Sequence, residues 1–220
     1  MKKFKAYTLM EMLVVMSILI ILMGLGFSAY ASFTETTRFN QDVANLQSDI
    51  LVLQRASMLL ERKPDEYWLY GVGIDFNGVR KGNGQYSFFK WCSEFEDFGN
   101  PLTKGEYPYD DPENSSDGKI PSTISNGSKC DNTTENRLLR LGGYMNHTLG
   151  LKDDVKIESK IRFLLFESVS GRAFLYEGDG TRVDADLDIV FKKNFGQNKT
   201  LTVNNLTGRT KITEYIPPTP

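Results

Sequence analysis

From Met12 to Phe33 the chain reads MLVVMSILIILMGLGFSAYASF, 22 residues without an acid or a base. At about 1.5 Å per residue, a helix of that length covers the ~30 Å hydrocarbon core of a bilayer. Lys2, Lys3 and Lys5 precede it, on the side that the positive-inside rule assigns to the cytoplasm. The expectation is a single-pass anchor with everything after residue 33 extracytoplasmic, since no second apolar run follows. Mean hydropathy of −0.34 excludes a polytopic membrane protein. From Thr34 onward there are 23 basic and 27 acidic side chains, and all eight prolines lie at or after Pro64. The chain therefore divides into a greasy, proline-free head and a polar, turn-rich body. With 40% hydrophobic and 12% aromatic residues, that body has enough apolar side chains for a core, which excludes wholesale disorder. A formal net charge of −2 gives no global basic field that would point to nucleic acid.

Glu11 does not suit a simple anchor. An ionised carboxylate at the start of an apolar run costs several kcal/mol unless it stays wet at the interface or finds a cation. The residues around it, Lys5-Ala6-Tyr7-Thr8-Leu9-Met10-Glu11-Met12-Leu13-Val14-Val15, resemble the processing motif of type IV pilins and pseudopilins. That motif is a basic leader, a small residue, an aromatic, Thr-Leu, an apolar residue, Glu and a long hydrophobic helix. The resemblance implies cleavage by a prepilin peptidase between Ala6 and Tyr7, with Tyr7 becoming the N-methylated first residue. It also implies that Glu11 neutralises the N-terminal amine of a neighbouring subunit as helices bundle in a filament. A buried carboxylate needs such a partner, so the pair selects register. Ala6 departs from the usual glycine and Tyr7 from the usual phenylalanine, so slower processing is expected. The kinking proline of many major pilins is missing, and Gly24 and Gly26 stand where the helix would loosen. Loss of residues 1–6 would take three lysines and no acid, moving the formal charge from −2 to −5. The rival reading is a secretory signal peptide cut after Ala29-Tyr30-Ala31; Glu11 speaks against it by interrupting the apolar region.

Beyond residue 33 the apolar residues become periodic. Phe39, Val43, Leu46, Ile50, Leu53, Ser57 and Leu60 advance by steps of four and three, one face of a helix, and Pro64 stops it. One helix is expected from about Thr8 to about Arg62, with 7–33 as membrane and assembly segment and 34–62 amphipathic. Residues 63–220 read as a β-rich head. Tyr67–Phe76 is rich in aromatic and β-branched residues and ends at Asn77-Gly78, a hairpin signal, with Gly84–Trp91 as partner. Lys160–Glu167, Arg172–Glu177, Leu187–Lys193, Thr200–Asn204 and Arg209–Thr213 follow as strands, with Leu201 and Val203 inward and Thr200 and Thr202 outward. The expected class is α+β, a long helix covering one face of a small antiparallel sheet. Tyr70-Gly71-Val72, Phe166–Gly171 and Leu201–Arg209 resemble pieces of the H-type minor pseudopilin of type II secretion and its pilus counterpart.

Residues 92–130 form a long polar, turn-filled stretch. Cys92 and Cys130, in an exported domain, are expected to pair; closing a loop of roughly 39 residues is worth about 4 kcal/mol on the chain-entropy model. Two free thiols are the alternative. Asp110, Asp111, Glu113, Asn114 and Asp117 lack the alternation of an EF-hand loop, and they read as a solvated acidic loop, as do Asp179, Asp184, Asp186 and Asp188. His147, the only histidine, has no triad or zinc partners in the sequence around it. Trp68 and Trp91 read as core aromatics, and the Asn-x-Ser/Thr matches as products of an Asn- and Thr-rich composition. Lys192, Lys193, Lys199, Arg209 and Lys211 fall in an acid-free stretch, with Arg209 and Lys211 expected on one side of a strand. That leaves three readings: a solvated edge, a contact with the next subunit, or a contact with DNA phosphates in an uptake pilus.

The functional expectation is a non-enzymatic filament subunit without a cofactor. Its partners would be other pilin or pseudopilin subunits, the prepilin peptidase, an inner-membrane assembly platform and the lipid bilayer. The competing class is a signal-anchored or secreted binding domain that forms no filament.

Overall fold

The structure, a computed structural model, describes residues 8–59, 64–92, 120–127, 129–131, 138–141, 147–157, 160–192 and 198–214. Helix α1 spans Leu9–Leu59 without a break, 51 residues, or about 75 Å. Nothing in it forbids this length: there is no proline, and Gly24 and Gly26 are absorbed. Its described side chains from Leu9 to Met23 are exposed, whereas Phe39, Val43, Leu46, Ile50, Leu53 and Ser57 are buried. That is the series of fours and threes legible in the sequence. Among the described residues no helix is long and apolar enough to cross a membrane. The side chains of residues 25, 26, 28 and 29 lie outside the described set. The stretch before them, Leu9–Gly24, rises only about 24 Å against a ~30 Å core. The chain forms two compact units, Met1–Gln41 and Asp42–Pro220.

In the second unit, twelve described strands make two sheets. The larger runs β3 (Ile124–Ser125), β4 (Leu138–Arg140), β2 (Gln85–Cys92), β1 (Leu69–Asp75), β7 (Ile161–Glu167), β8 (Ala173–Glu177) and β9 (Arg182–Val183). Here β5 (His147–Thr148) pairs beside the path with β2. The smaller runs β12 (Thr210–Glu214), β11 (Lys199–Val203), β10 (Leu187–Phe191) and β6 (Val155–Ile157). The described pairings are antiparallel except β3 with β4. The α+β class expected from the sequence holds, and its strands are divided between two sheets. The added strands, β3–β6 and β9, are two or three residues long, too short to show a period.

The larger sheet is buried on both faces, so the in–out alternation of a half-exposed strand is missing. Every residue of β1 is buried. Gly71 and Gly73 serve this packing, because a Cβ at either would lie 2.2 Å from a carbonyl oxygen of β7. One face carries Phe89, Trp91, Phe163, Leu165, Phe174 and Tyr176, joined by Tyr70, Leu138 and Ile120. Ile120 belongs to the polar, turn-filled stretch 92–130. Its N–H donates to the Gly180 carbonyl at 2.9 Å, which ties that part of the loop to the β8–β9 turn. Phe166, on the opposite face, lies beside Gly208 and Gln54 of α1.

Two local expectations are corrected. The expected hairpin of β1 with β2 forms, but Asn77-Gly78 begins a one-turn helix, α2 (Asn77–Arg80), where a tight turn was expected. The Asn77 N–H donates to Asp75 Oδ1 at 2.9 Å, an Asx turn. The chain then reaches β2 through Gly82 and Gly84, both at positive φ. Thr200, expected outward, is buried; it stands across β10 from Val190 and across β12 from Thr213.

Candidate functional site

The amino end of α1 is built by a reciprocal cap. The Thr8 N–H donates to Glu11 Oε2 at 2.9 Å, the Thr8 hydroxyl donates to the same oxygen at 3.1 Å, and the Glu11 N–H donates to Thr8 Oγ1 at 3.2 Å. This is the capping box of a Thr-x-x-Glu sequence, which satisfies two helix N–H groups that would otherwise lack partners. The expectations for Glu11 are a wet interface or a cation from another subunit, and the Thr8–Glu11 spacing adds a third partner within its own helix. Ala6 and Tyr7, the expected cleavage pair, lie outside the described residues, as does the leader 1–6. Around Glu11 the helix presents Leu9, Met10, Met12, Leu13, Val14 and Val15, all at least half exposed.

In the head, Cys92 and Cys130 form a disulfide, and a buried ion pair stands against it. Lys90 donates to Glu66 Oε1, and both side chains are almost completely removed from solvent. The same Glu66 oxygen accepts the Cys130 N–H at 2.8 Å, and the Tyr67 N–H donates to the Cys130 carbonyl at 3.0 Å. Lys90 could be suspected from the sequence, as a lone charge in Ser-Phe-Phe-Lys-Trp-Cys. Its partner, 24 residues earlier, could not. Trp68 and Trp91 are buried, with Trp91 edge-on to Tyr70 and Tyr176.

A second cluster joins α1 to β2 and β5. Asp49 Oδ2 accepts the Tyr86 hydroxyl and His147 Nδ1, each at 2.7 Å, and Asp42 Oδ2 accepts the Leu151 N–H at 2.9 Å. With Asn45, Ser48, Thr148 and Leu149 these residues line a cleft of about 540 Å3. Burial, then the hydrogen bond and charge of Asp49, hold the Tyr86 phenol well above the ordinary tyrosine range. The folded state therefore binds this proton more tightly than the unfolded chain. Its contribution is complete below about pH 10 and is lost as pH rises beyond it. Between pH 10 and 12 the unfolding free energy of the wild type should fall by up to about 1.4 kcal/mol per pH unit more steeply than that of Tyr86→Phe. Denaturant titrations of the two proteins at matched pH measure this; equal slopes would contradict it.

The cations of the carboxyl-terminal stretch are not gathered on one face. Lys199 shares the parity of Leu201 and Val203, whereas Lys211 stands across from Thr202 on the other face of the sheet. Arg209 precedes β12 rather than lying in it, and Lys193 lies outside the described residues. The acids are engaged locally: Asp179 accepts the Thr181 N–H, Asp188 the Thr202 hydroxyl, and Asp186 the Asn205 N–H and the Asn204 amide. Asp184 lies 3.5 Å from Arg182. The acidic stretch from Asp110 to Asp117 lies outside the described residues. Among the described residues no group of three His, Cys, Asp or Glu side chains is placed to hold a metal ion.

Residues 1–27 match the family model described as the prokaryotic N-terminal methylation motif. The chain carries the type IV pilin and pseudopilin signature. No curated protein and no solved structure matches it. The signature covers the capped helix start and the exposed apolar turns after it, and it supports a type IV pilin-like or pseudopilin subunit. Proteins of this signature are structural rather than enzymatic. The signature implies a membrane-anchored precursor, processing by a prepilin peptidase and assembly with other pilin-type subunits.

Proposed function

We propose that this chain is a structural subunit of a type IV pilus or of a type II secretion-like pseudopilus. It waits in the inner membrane with its head outside, is cut between Ala6 and Tyr7, and is methylated on Tyr7. It then enters a filament through α1, where Glu11 pairs with the amine of a neighbour. The observation that carries this reading is the methylation motif over residues 1–27. It coincides with a helix whose first turns expose apolar side chains around one carboxylate. An exposed surface of this kind is an association surface, and a lone carboxylate within it needs a cation on association. The uncharged run from Met12 to Phe33 supports the anchoring step.

The intact mass of the matured protein tests the reading directly. The expected product begins at Tyr7 with one added methyl group. A product beginning at Ser32 would mean signal-peptidase release and would end the filament assignment.

A further inference from the structure

A polar cleft of about 230 Å3 opens where the loop from α2 to β2 meets the larger sheet, and Asp75, Lys81, Asn83, Gln85, Ser87 and Arg140 are among its walls. Strand pairing fixes the floor. Ser87 stands across from Asp75 of β1, and Phe89, two residues on and so on the same face of β2, stands across from Arg140 of β4. The Asp75 charge is already answered, because Arg162 donates to both of its oxygens at 2.9 Å. Arg80 reaches elsewhere, with Nη1 3.0 Å from where a Cβ on Gly178 would stand. The charges of Lys81 and Arg140 are therefore in excess at the cleft. Among the described residues, the side chains of Asn77, Lys81, Gln85 and Ser87 have no hydrogen-bond partner. The loop that carries them is held by its own bonds. The Asn83 N–H donates to the Gly78 carbonyl and Asn83 Oδ1 accepts the Gln85 N–H, each at 3.0 Å. Gly78 permits this approach, since a Cβ there would lie 2.4 Å from Asn83 Oδ1 and from the Gln85 carbonyl oxygen.

We propose that this cleft binds a small phosphorylated sugar, a monosaccharide carrying one phosphate ester. The proposal goes beyond the filament reading and does not depend on it. Two uncompensated cations match a phosphate monoester, which carries about −1.5 to −2 charges at pH 7. The ammonium of Lys81 and the guanidinium of Arg140 would hold its oxygens by charge-assisted hydrogen bonds. The amides of Asn77 and Gln85 and the hydroxyl of Ser87 each offer a donor and an acceptor, which is what sugar hydroxyls require and a bare oxyanion does not. The cleft is smaller than the roughly 300 Å3 at which pockets for drug-sized ligands begin, so it takes one sugar unit. Because the loop is braced before any ligand arrives, little ordering has to accompany binding.

Calorimetric titration of the full-length protein in detergent at low ionic strength tests the site, with glucose 6-phosphate, ribose 5-phosphate, inorganic phosphate and glucose as probes. At least one sugar phosphate should bind about tenfold or more tightly than inorganic phosphate, and glucose should not register. Asn83→Asp keeps the acceptor for the Gln85 N–H but adds a negative charge to the cleft, and Lys81→Gln removes a cation from an exposed position. Each should weaken sugar-phosphate binding by about tenfold or more. Lys211→Gln, on β12 of the other sheet, should leave it unchanged. No binding of either sugar phosphate overturns the proposal, and so does inorganic phosphate binding as tightly as both. Undiminished binding in Asn83→Asp and Lys81→Gln, or a loss in Lys211→Gln, places the anion elsewhere and overturns it too.

Discussion

Glu11→Ala should insert in the membrane and lose its leader as the wild type does, yet enter filaments about a hundredfold to several thousandfold less. The figure follows from the proposed pairing with a neighbour's amine. Removing one member of a buried ion pair costs about 3–5 kcal/mol, because the remaining charge is left without compensation, and each 1.4 kcal/mol is a factor of ten. Before assembly the same carboxylate is already occupied, since Oε2 accepts both the N–H and the hydroxyl of Thr8. Alanine therefore removes a local cap as well as the charge, and the loss of a capping contact alone is typically about 1 kcal/mol. Glu11→Gln separates the two effects. Its amide oxygen can keep the bond to the Thr8 N–H, but it has no charge to offer an ammonium. If pairing governs assembly, Gln should fail nearly as badly as Ala; if the cap governs, Gln should assemble almost normally. The readout is the ratio of subunit in sheared filaments to subunit in membranes. Normal incorporation of both variants would refute the proposed role of Glu11.

What the sequence made legible tracks the range of the interactions concerned. The helix was readable because its determinants are local: an apolar run, a stripe of fours and threes and a proline beyond the end. The long strands were readable for the same reason, and β1, β2, β7, β8, β10, β11 and β12 lie within two or three residues of where composition put them. The failures have physical causes too. Asn77-Gly78 has the composition of a tight turn, but Asp75 captures the Asn77 amide and winds the chain into helix instead. Sequence distance along the basic stretch does not show pleat parity, which sends Lys199 and Lys211 to opposite faces. Cys92–Cys130 was suggested by number and compartment. The Lys90–Glu66 pair beside it, and the Asp49–Tyr86–His147 cluster, join residues 24 and up to 98 positions apart, which no local pattern encodes.

Lys90→Met should be among the most damaging single changes in the head, lowering the unfolding free energy by about 3–5 kcal/mol. That is a large share of the roughly 5–15 kcal/mol of a typical domain. The loss comes from Glu66, a buried carboxylate that would keep the Cys130 N–H but lose the cation that compensates its charge out of water. Burial of the pair is not itself strongly stabilising, since desolvation offsets most of the attraction. The double variant Glu66→Gln/Lys90→Met should therefore recover more than half of the loss: Gln is neutral and its oxygen still accepts the Cys130 amide. The pair and the disulfide share that amide, so their effects should not add. Replacing both cysteines by serine, a change that typically costs 2–5 kcal/mol, should cost less in the Lys90→Met background than in the wild type. Denaturant unfolding of the full-length protein in detergent, followed through the fluorescence of Trp68 and Trp91, measures each corner of the cycle. Trp91 is the residue next to Lys90, and both indoles are buried, so exposure of this region registers directly. A Lys90→Met protein within 1 kcal/mol of wild type, or strict additivity with the cysteine change, would show that Glu66 relaxes to solvent and that the pair does not brace the disulfide.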